Sequence, residues 1–249
     1  IALNDPKVFF LPQNSTADPD VDPIEMSNTN QAYTAINKGI YTSGPKEYFL
    51  TLRIYNGSHG EILTSKGRAG LGTTFYAAYT PGTVTSSANN FTSAILATED
   101  NTSVTVTGFN PGVAFINQPS TTNTITFTLN KGQSYILAGT MGAAANATGF
   151  IGAKIVSTKP VTLTNGNSNG FYATGTSDGS DLILDQSVPA DRLGKEFAMI
   201  RTLGALNTGY NMEGGLIVAT ENNTEIYLNN GGSPVATINE GQFYRILDA

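Results

Sequence analysis

The chain has 249 residues, a net charge of −6, 39% hydrophobic and only 13% charged side chains, no cysteine, no tryptophan and one histidine. An ordinary soluble domain carries about 25% charged residues; here Thr, Ser, Asn and Gly stand in for them, a composition that suits strands joined by tight turns rather than helices. Disulfides, thiolate metal sites and a Cys nucleophile are excluded, the acidic balance without a basic cluster argues against nucleic acid and anionic membranes as partners, and no apolar run reaches the roughly 18 residues of a spanning helix.

Residues 1–36 differ from the rest. They hold Pro6, Pro12, Pro19 and Pro23, and only Val8 to Leu11 reads as a strand. This segment is expected to be an N-terminal arm or an incomplete first module, and its start at Ile1, without charged and apolar leader regions, is compatible with a mature terminus. Asp18, Asp20 and Asp22, with Glu25 close by, are spaced like oxygen ligands for Ca²⁺, although Pro19 and Pro23 occupy the flexible positions and the Gly and Glu of an EF-hand do not follow. Ca²⁺ is the only cofactor these residues suggest.

From about Tyr48 the chain becomes regular. Alternating runs lie between turn residues at Phe49 to Tyr55, Thr74 to Tyr79, Ser93 to Ala97, Ser103 to Phe109, Thr124 to Leu129 and Ser134 to Ala138. They continue at Ala153 to Ser157, Val161 to Thr164, Asp181 to Leu184, Glu196 to Arg201, Gly215 to Ala219, Glu225 to Leu228, Val235 to Ile238 and Phe243 to Leu247. Strands at this spacing predict an all-β fold.

An internal repeat is the strongest signal. Ile95 to Thr102, ILATEDNT, returns as Ile217 to Thr224, IVATENNT, at an offset of 122 (217 − 95). Leu71-Gly72…Phe75 returns as Leu193-Gly194…Phe197 at the same offset. Asn130-Lys-Gly-Gln133 returns as Asn239-Glu-Gly-Gln242 at 109 (241 − 132), so the first copy is longer by 13 residues (122 − 109), around Asn110 to Thr122. Thr98 to Thr102 reads as a polar turn, and Lys131-Gly132 and Glu240-Gly241 as X-Gly hairpin turns. Residues 152–163 resemble the strand–turn–strand at 93–106, which suggests four-stranded antiparallel modules of about 60 residues, either propeller blades or tandem β-sandwiches. Residues 37–140 would then be one pair of modules and 141–249 a second, with the parent protein expected to continue beyond Ala249.

Four stretches carry a family resemblance: Leu63 to Phe75, Ala97 to Thr102, Ile151 to Gly166, and Asp185 to Phe197. They resemble the IgGFc-binding-protein N-terminal domain, in particular its flavobacterial versions, which sit in long surface proteins with a type IX sorting domain, some associated with gliding motility. The resemblance covers roughly residues 40–249. It implies an extracellular, surface-displayed structural or adhesive module, with type IX secretion machinery and an unknown surface ligand, glycan or protein, as partners. It implies no catalytic residues.

The residues themselves offer no catalytic constellation. His59 lies in the turn Asn56-Gly-Ser-His-Gly60, and no Gly-x-Ser-x-Gly elbow accompanies it. Glu99 and Glu221 recur at one repeat position, which fits a turn better than an active site. Asp178, Asp181 and Asp185 read as a solvated turn. Tyr76, Tyr79, Tyr172 and Tyr210 could stack on sugar faces, so a glycan-binding module is the alternative and a secreted hydrolase the remote one. The sequons at Asn56, Asn90, Asn101, Asn146 and Asn222 read as accidents of an Asn- and Thr-rich chain.

Overall fold

A computed structural model describes residues 31–56, 59–82, 90–118, 123–170, 180–199 and 214–247. Among them the fold is all-β and antiparallel, and helix is limited to short 3₁₀ turns such as Gly67–Gly70, Ala144–Ala147 and Ala190–Arg192. The strands are β1 (Ala35–Ile36), β2 (Thr51–Asn56), β3 (His59–Thr64), β4 (Gly72–Tyr76), β5 (Thr92–Ala97), β6 (Thr102–Thr107), β7 (Thr124–Leu129) and β8 (Ser134–Ala138). They continue as β9 (Lys154–Gly170), β10 (Asp181–Gln186), β11 (Gly214–Val218), β12 (Thr224–Ile226), β13 (Ala236–Ile238) and β14 (Phe243–Leu247).

Eight of these strands form one sheet organised by β9. The first part of β9 lies between β6 and β4; the second lies between β5 and β10. The change of neighbours falls at Pro160, which has no N–H to give to a ladder. Side chains close the gap: Thr158 Oγ1 accepts from Ser103 N at 3.0 Å, and Thr98 Oγ1 donates to the Pro160 carbonyl at 2.7 Å. A long strand serving two sets of neighbours curls the sheet almost into a barrel, as corner strands do. Alternating residues of both parts point inward. Phe75, Ile95, Val104, Val106, Leu129, Leu137, Ile155, Val161 and Leu163 are fully buried, around a stacked Phe91–Phe150 pair with ring centroids 4.3 Å apart.

Two expectations are corrected here. Ala153 to Ser157 and Val161 to Thr164 are one strand and not a strand–turn–strand, because the Pro160 break is bridged by hydrogen bonds and does not turn the chain. Residues 196–199 form no strand, and Phe197 is 75% exposed where its counterpart Phe75 is buried; β4 is a strand because β9 pairs with it, and no described strand pairs with 196–199.

The repeat is visible bond by bond. In the first copy β5 pairs with β8 and β6 with β7; in the second β11 pairs with β14 and β12 with β13. Ile95 lies opposite Tyr135 and Ile217 opposite Tyr244. Ala97 N donates to Gln133 O at 3.0 Å and Ala219 N to Gln242 O at 2.9 Å; Asn130 Oδ1 accepts from Asn101 N at 3.1 Å and Asn239 Oδ1 from Asn223 N at 3.0 Å. Asn101 and Asn223 both sit at positive φ, +54° and +58°, a conformation Asn tolerates better than most side chains. Ala97 and Ala219 are both 2% exposed, whereas Ile95 is buried and Ile217 only half-buried. The length difference falls inside the inner hairpin, which is shorter in the second copy, where β12 and β13 have three residues each against six in β6 and β7.

Candidate functional site

The second copy meets the first through a turn-on-turn contact. Gly152 (φ +80°) and Gly241 (φ +76°) face each other, and a Cβ on Gly152 would overlap the Gly241 carbonyl. Gly132, the first-copy counterpart of Gly241, has φ +81° and open space where its Cβ would be. The contact therefore belongs to the junction and not to the turn type.

A cleft of about 370 Å³ opens beside this contact, lined by Tyr76, Thr107, Gly108, Gly152, Lys154, Glu240, Gly241 and Gln242. Tyr76 ends β4 and Lys154 begins β9, and the two are cross-strand partners. Glu240 reaches over from the second copy. The Tyr76 hydroxyl donates to Glu240 Oε1 at 2.6 Å, and Lys154 Nζ pairs with the same oxygen at 2.7 Å while lying 5.7 Å from the Tyr76 ring centre. The Lys154 ammonium, then the Tyr76 hydroxyl, hold the Glu240 carboxyl below its ordinary pKa of 4.5. The Glu240 carboxylate raises Lys154. Burial first, and Glu240 second, raise the Tyr76 phenol. All three groups thus move away from neutral pH. A ring face, an ammonium, a carboxylate and two glycine backbones can clasp a polar ligand by stacking and hydrogen bonding.

The other candidates fall elsewhere. Asp18, Asp20, Asp22, Asp178, Tyr172 and Tyr210 lie outside the described residues. Tyr79 is a core residue: its hydroxyl donates to Asn146 O at 3.0 Å and accepts from Phe150 N at 3.1 Å. Asp181 accepts from Gly60 N, and Asp185 pairs with Lys66 at 3.1 Å, so the two carboxylates are separately engaged. Among the described residues no group of three His, Asp or Glu side chains comes together as a metal site. His59 is the first residue of β3, opposite Asn56, and not a turn residue. Glu99 and Glu221 are exposed, and each turn uses their carbonyls, which accept from Thr102 and Thr224. The sequon residues Asn90 and Asn146 are 1% and 0% exposed, closed to glycan attachment in the folded chain. Sequence reasoning singled out Tyr76 but missed Lys154 and Glu240; the one signal was the repeat, which pairs Glu240 with Lys131 and so marks a turn whose charge differs between copies.

The segments with the family resemblance are neighbours in space. Ser65 and Lys66 bond Gln186, the Arg192 side chain reaches the Arg68 carbonyl, and Gly72 packs against Pro189, leaving no room for a Cβ. A sequence model of the IgGFc binding protein family matches residues 60–248, about three quarters of the chain. The chain belongs to that family. No curated protein and no solved structure matches it. The IgGFc binding protein match spans β3 to β14 and so takes in both repeat copies and the junction cleft. No helix among the described residues is long and apolar enough to cross a membrane.

Proposed function

We propose that the chain is an extracellular, surface-displayed, non-enzymatic structural and adhesive module of a large bacterial protein exported by a type IX secretion system, built from repeated four-stranded β-units. The observation that carries this reading is the family match over residues 60–248, a family of secreted and surface binding proteins. The low charge and the docked repeat units support it, since they build area and stiffness rather than one enclosed pocket. The external ligand is a protein or a glycan, and the reading needs no cofactor. The glycan alternative has its own observation, the half-buried Tyr76 ring in the junction cleft. The purified chain, labelled and applied to a glycan array and to immobilised extracellular-matrix and cell-surface proteins, tests the reading. Saturable binding to either class is expected. Binding to a glycan that Tyr76→Ala abolishes selects the glycan form; turnover of any bound polymer would overturn the non-enzymatic form.

A further inference from the structure

The junction cleft is shared between the two repeat copies. The eight-stranded sheet contributes Tyr76, Gly152 and Lys154, and the second copy contributes Glu240, Gly241 and Gln242. The turn itself does not call for a carboxylate, because the matching turn of the first copy folds with Lys131 in that place, its ammonium 5.8 Å from the ring centre of Tyr41. Nor is the ion pair sealed off: the Lys154 and Glu240 side chains are 39% and 38% exposed. A solute can therefore reach both charged groups without the two copies parting.

The polar groups of the cleft keep unused bonding capacity. Tyr76 and Lys154 both hold Glu240 through Oε1, and Oε2 accepts no hydrogen bond from the described residues. An ammonium carries several N–H donors, and Lys154 gives one to Glu240. Gln242 accepts through Oε1 from Asn239 N at 2.8 Å, and its Nε2 donates to none of the described residues. Donors and an acceptor thus stand side by side next to the Tyr76 ring. The two charges already neutralise each other at 2.7 Å, so a charged ligand finds no unpaired counter-charge and meets one like charge. A neutral ligand has only to complete the hydrogen bonds. Two adjacent hydroxyls on a ring with an apolar face do so: one accepts from Lys154, its neighbour donates to Glu240 Oε2, and the C–H face lies against Tyr76.

We propose that the junction cleft binds one neutral pyranose residue of a glycan through a pair of adjacent hydroxyls, and that its occupation fastens the second repeat copy to the first. The second half follows from the first, since the ligand spans groups from both copies and binds only while they are docked. This deepens the glycan form of the surface-binding reading and rests on it. A module that binds proteins alone would leave the surface reading standing and end this one.

The test titrates the whole chain with the methyl glycosides of glucose, galactose, mannose, fucose and N-acetylglucosamine, followed by amide NMR. At least one is expected to shift the amides of Gly152, Gly241 and Gln242 saturably. At ten times its dissociation constant it should slow hydrogen exchange roughly tenfold at Ala219, Gly241 and Gln242, whose amides are bonded within the second copy. Blocking the hydroxyls one at a time as methyl ethers should pick out two adjacent positions, each worth at least about tenfold in affinity. Glucuronate and glucosamine, which carry a charge, should bind more weakly than the best neutral glycoside. Glycerol, a diol without a ring face, should not compete at equal concentration. Glu240→Gln and Lys154→Met should each lower affinity at least about tenfold with the fold intact by circular dichroism, while Glu221→Gln, outside the cleft, should change nothing. Any of these results would overturn the proposal: no saturable shift with any of the glycosides; shifts that fall away from the cleft; charged sugars or glycerol binding as well as the best neutral glycoside; or binding that leaves exchange in the second copy unchanged.

Discussion

Gly152→Ala puts a methyl group where the Gly241 carbonyl lies, at a backbone φ of +80°. Left-handed φ costs a non-glycine residue about 1–2 kcal/mol, and forcing a group into a filled contact adds about 1–3 kcal/mol. Gly132→Ala is the matched control: φ is +81°, and nothing lies within 4 Å of the new Cβ. It should incur the strain alone, about 1–2 kcal/mol. The excess of Gly152→Ala over Gly132→Ala, about 1–3 kcal/mol, measures the junction. Urea titration followed by circular dichroism gives both numbers, and a selective gain of amide exchange across the second copy in Gly152→Ala locates the damage. Equal losses for the two variants, with no change in the second copy, would refute a fixed turn-on-turn contact.

Other outcomes follow from the same geometry. Glu240 is held below its ordinary pKa, so its stabilising contact is present above pH 4.5 and lost as pH falls through the lower folded value. Lys154 is raised, so its share is lost only as pH rises through a value above 10.5. Melting curves should show an acid-dependent loss that Glu240→Gln removes. Asn146→Ala should cost about 2–5 kcal/mol, because the fully buried amide bonds Ala114 N, Ala114 O and Thr140 O; thermal unfolding checks it. Asn130→Ala and Asn239→Ala each remove the acceptor for Asn101 N or Asn223 N and should cost similar amounts, about 0.5–1.5 kcal/mol each; a large disparity in denaturation would show that the two turns are not equivalent.

Local pattern made much of the fold legible. The β7, β8 and β14 spans match the alternating runs residue for residue, and ILATEDNT and NKGQ marked turns whose hydrogen bonds recur in both copies. What stayed hidden depends on partners distant in sequence. Pro160 reads locally as a turn, yet Thr98 and Ser103, some 60 residues away, bond across the break and keep β9 one strand. His59 to Thr64 was missed because its Gly60 and charged Glu61 blur the alternation, which pairing with β2 and the bond from Leu184 N to Glu61 override. The junction cleft joins three residues from distant segments, and only the tertiary contact at Gly152 and Gly241 brings Glu240 to Tyr76 and Lys154.

Protease treatment of intact cells of the organism that makes the chain tests the proposed surface display most directly. With an antibody to this chain as the probe, rapid loss of the full-length signal, while a cytoplasmic control protein persists, is the expected result. Full protection of the chain in living cells, with digestion only after lysis, would contradict the account.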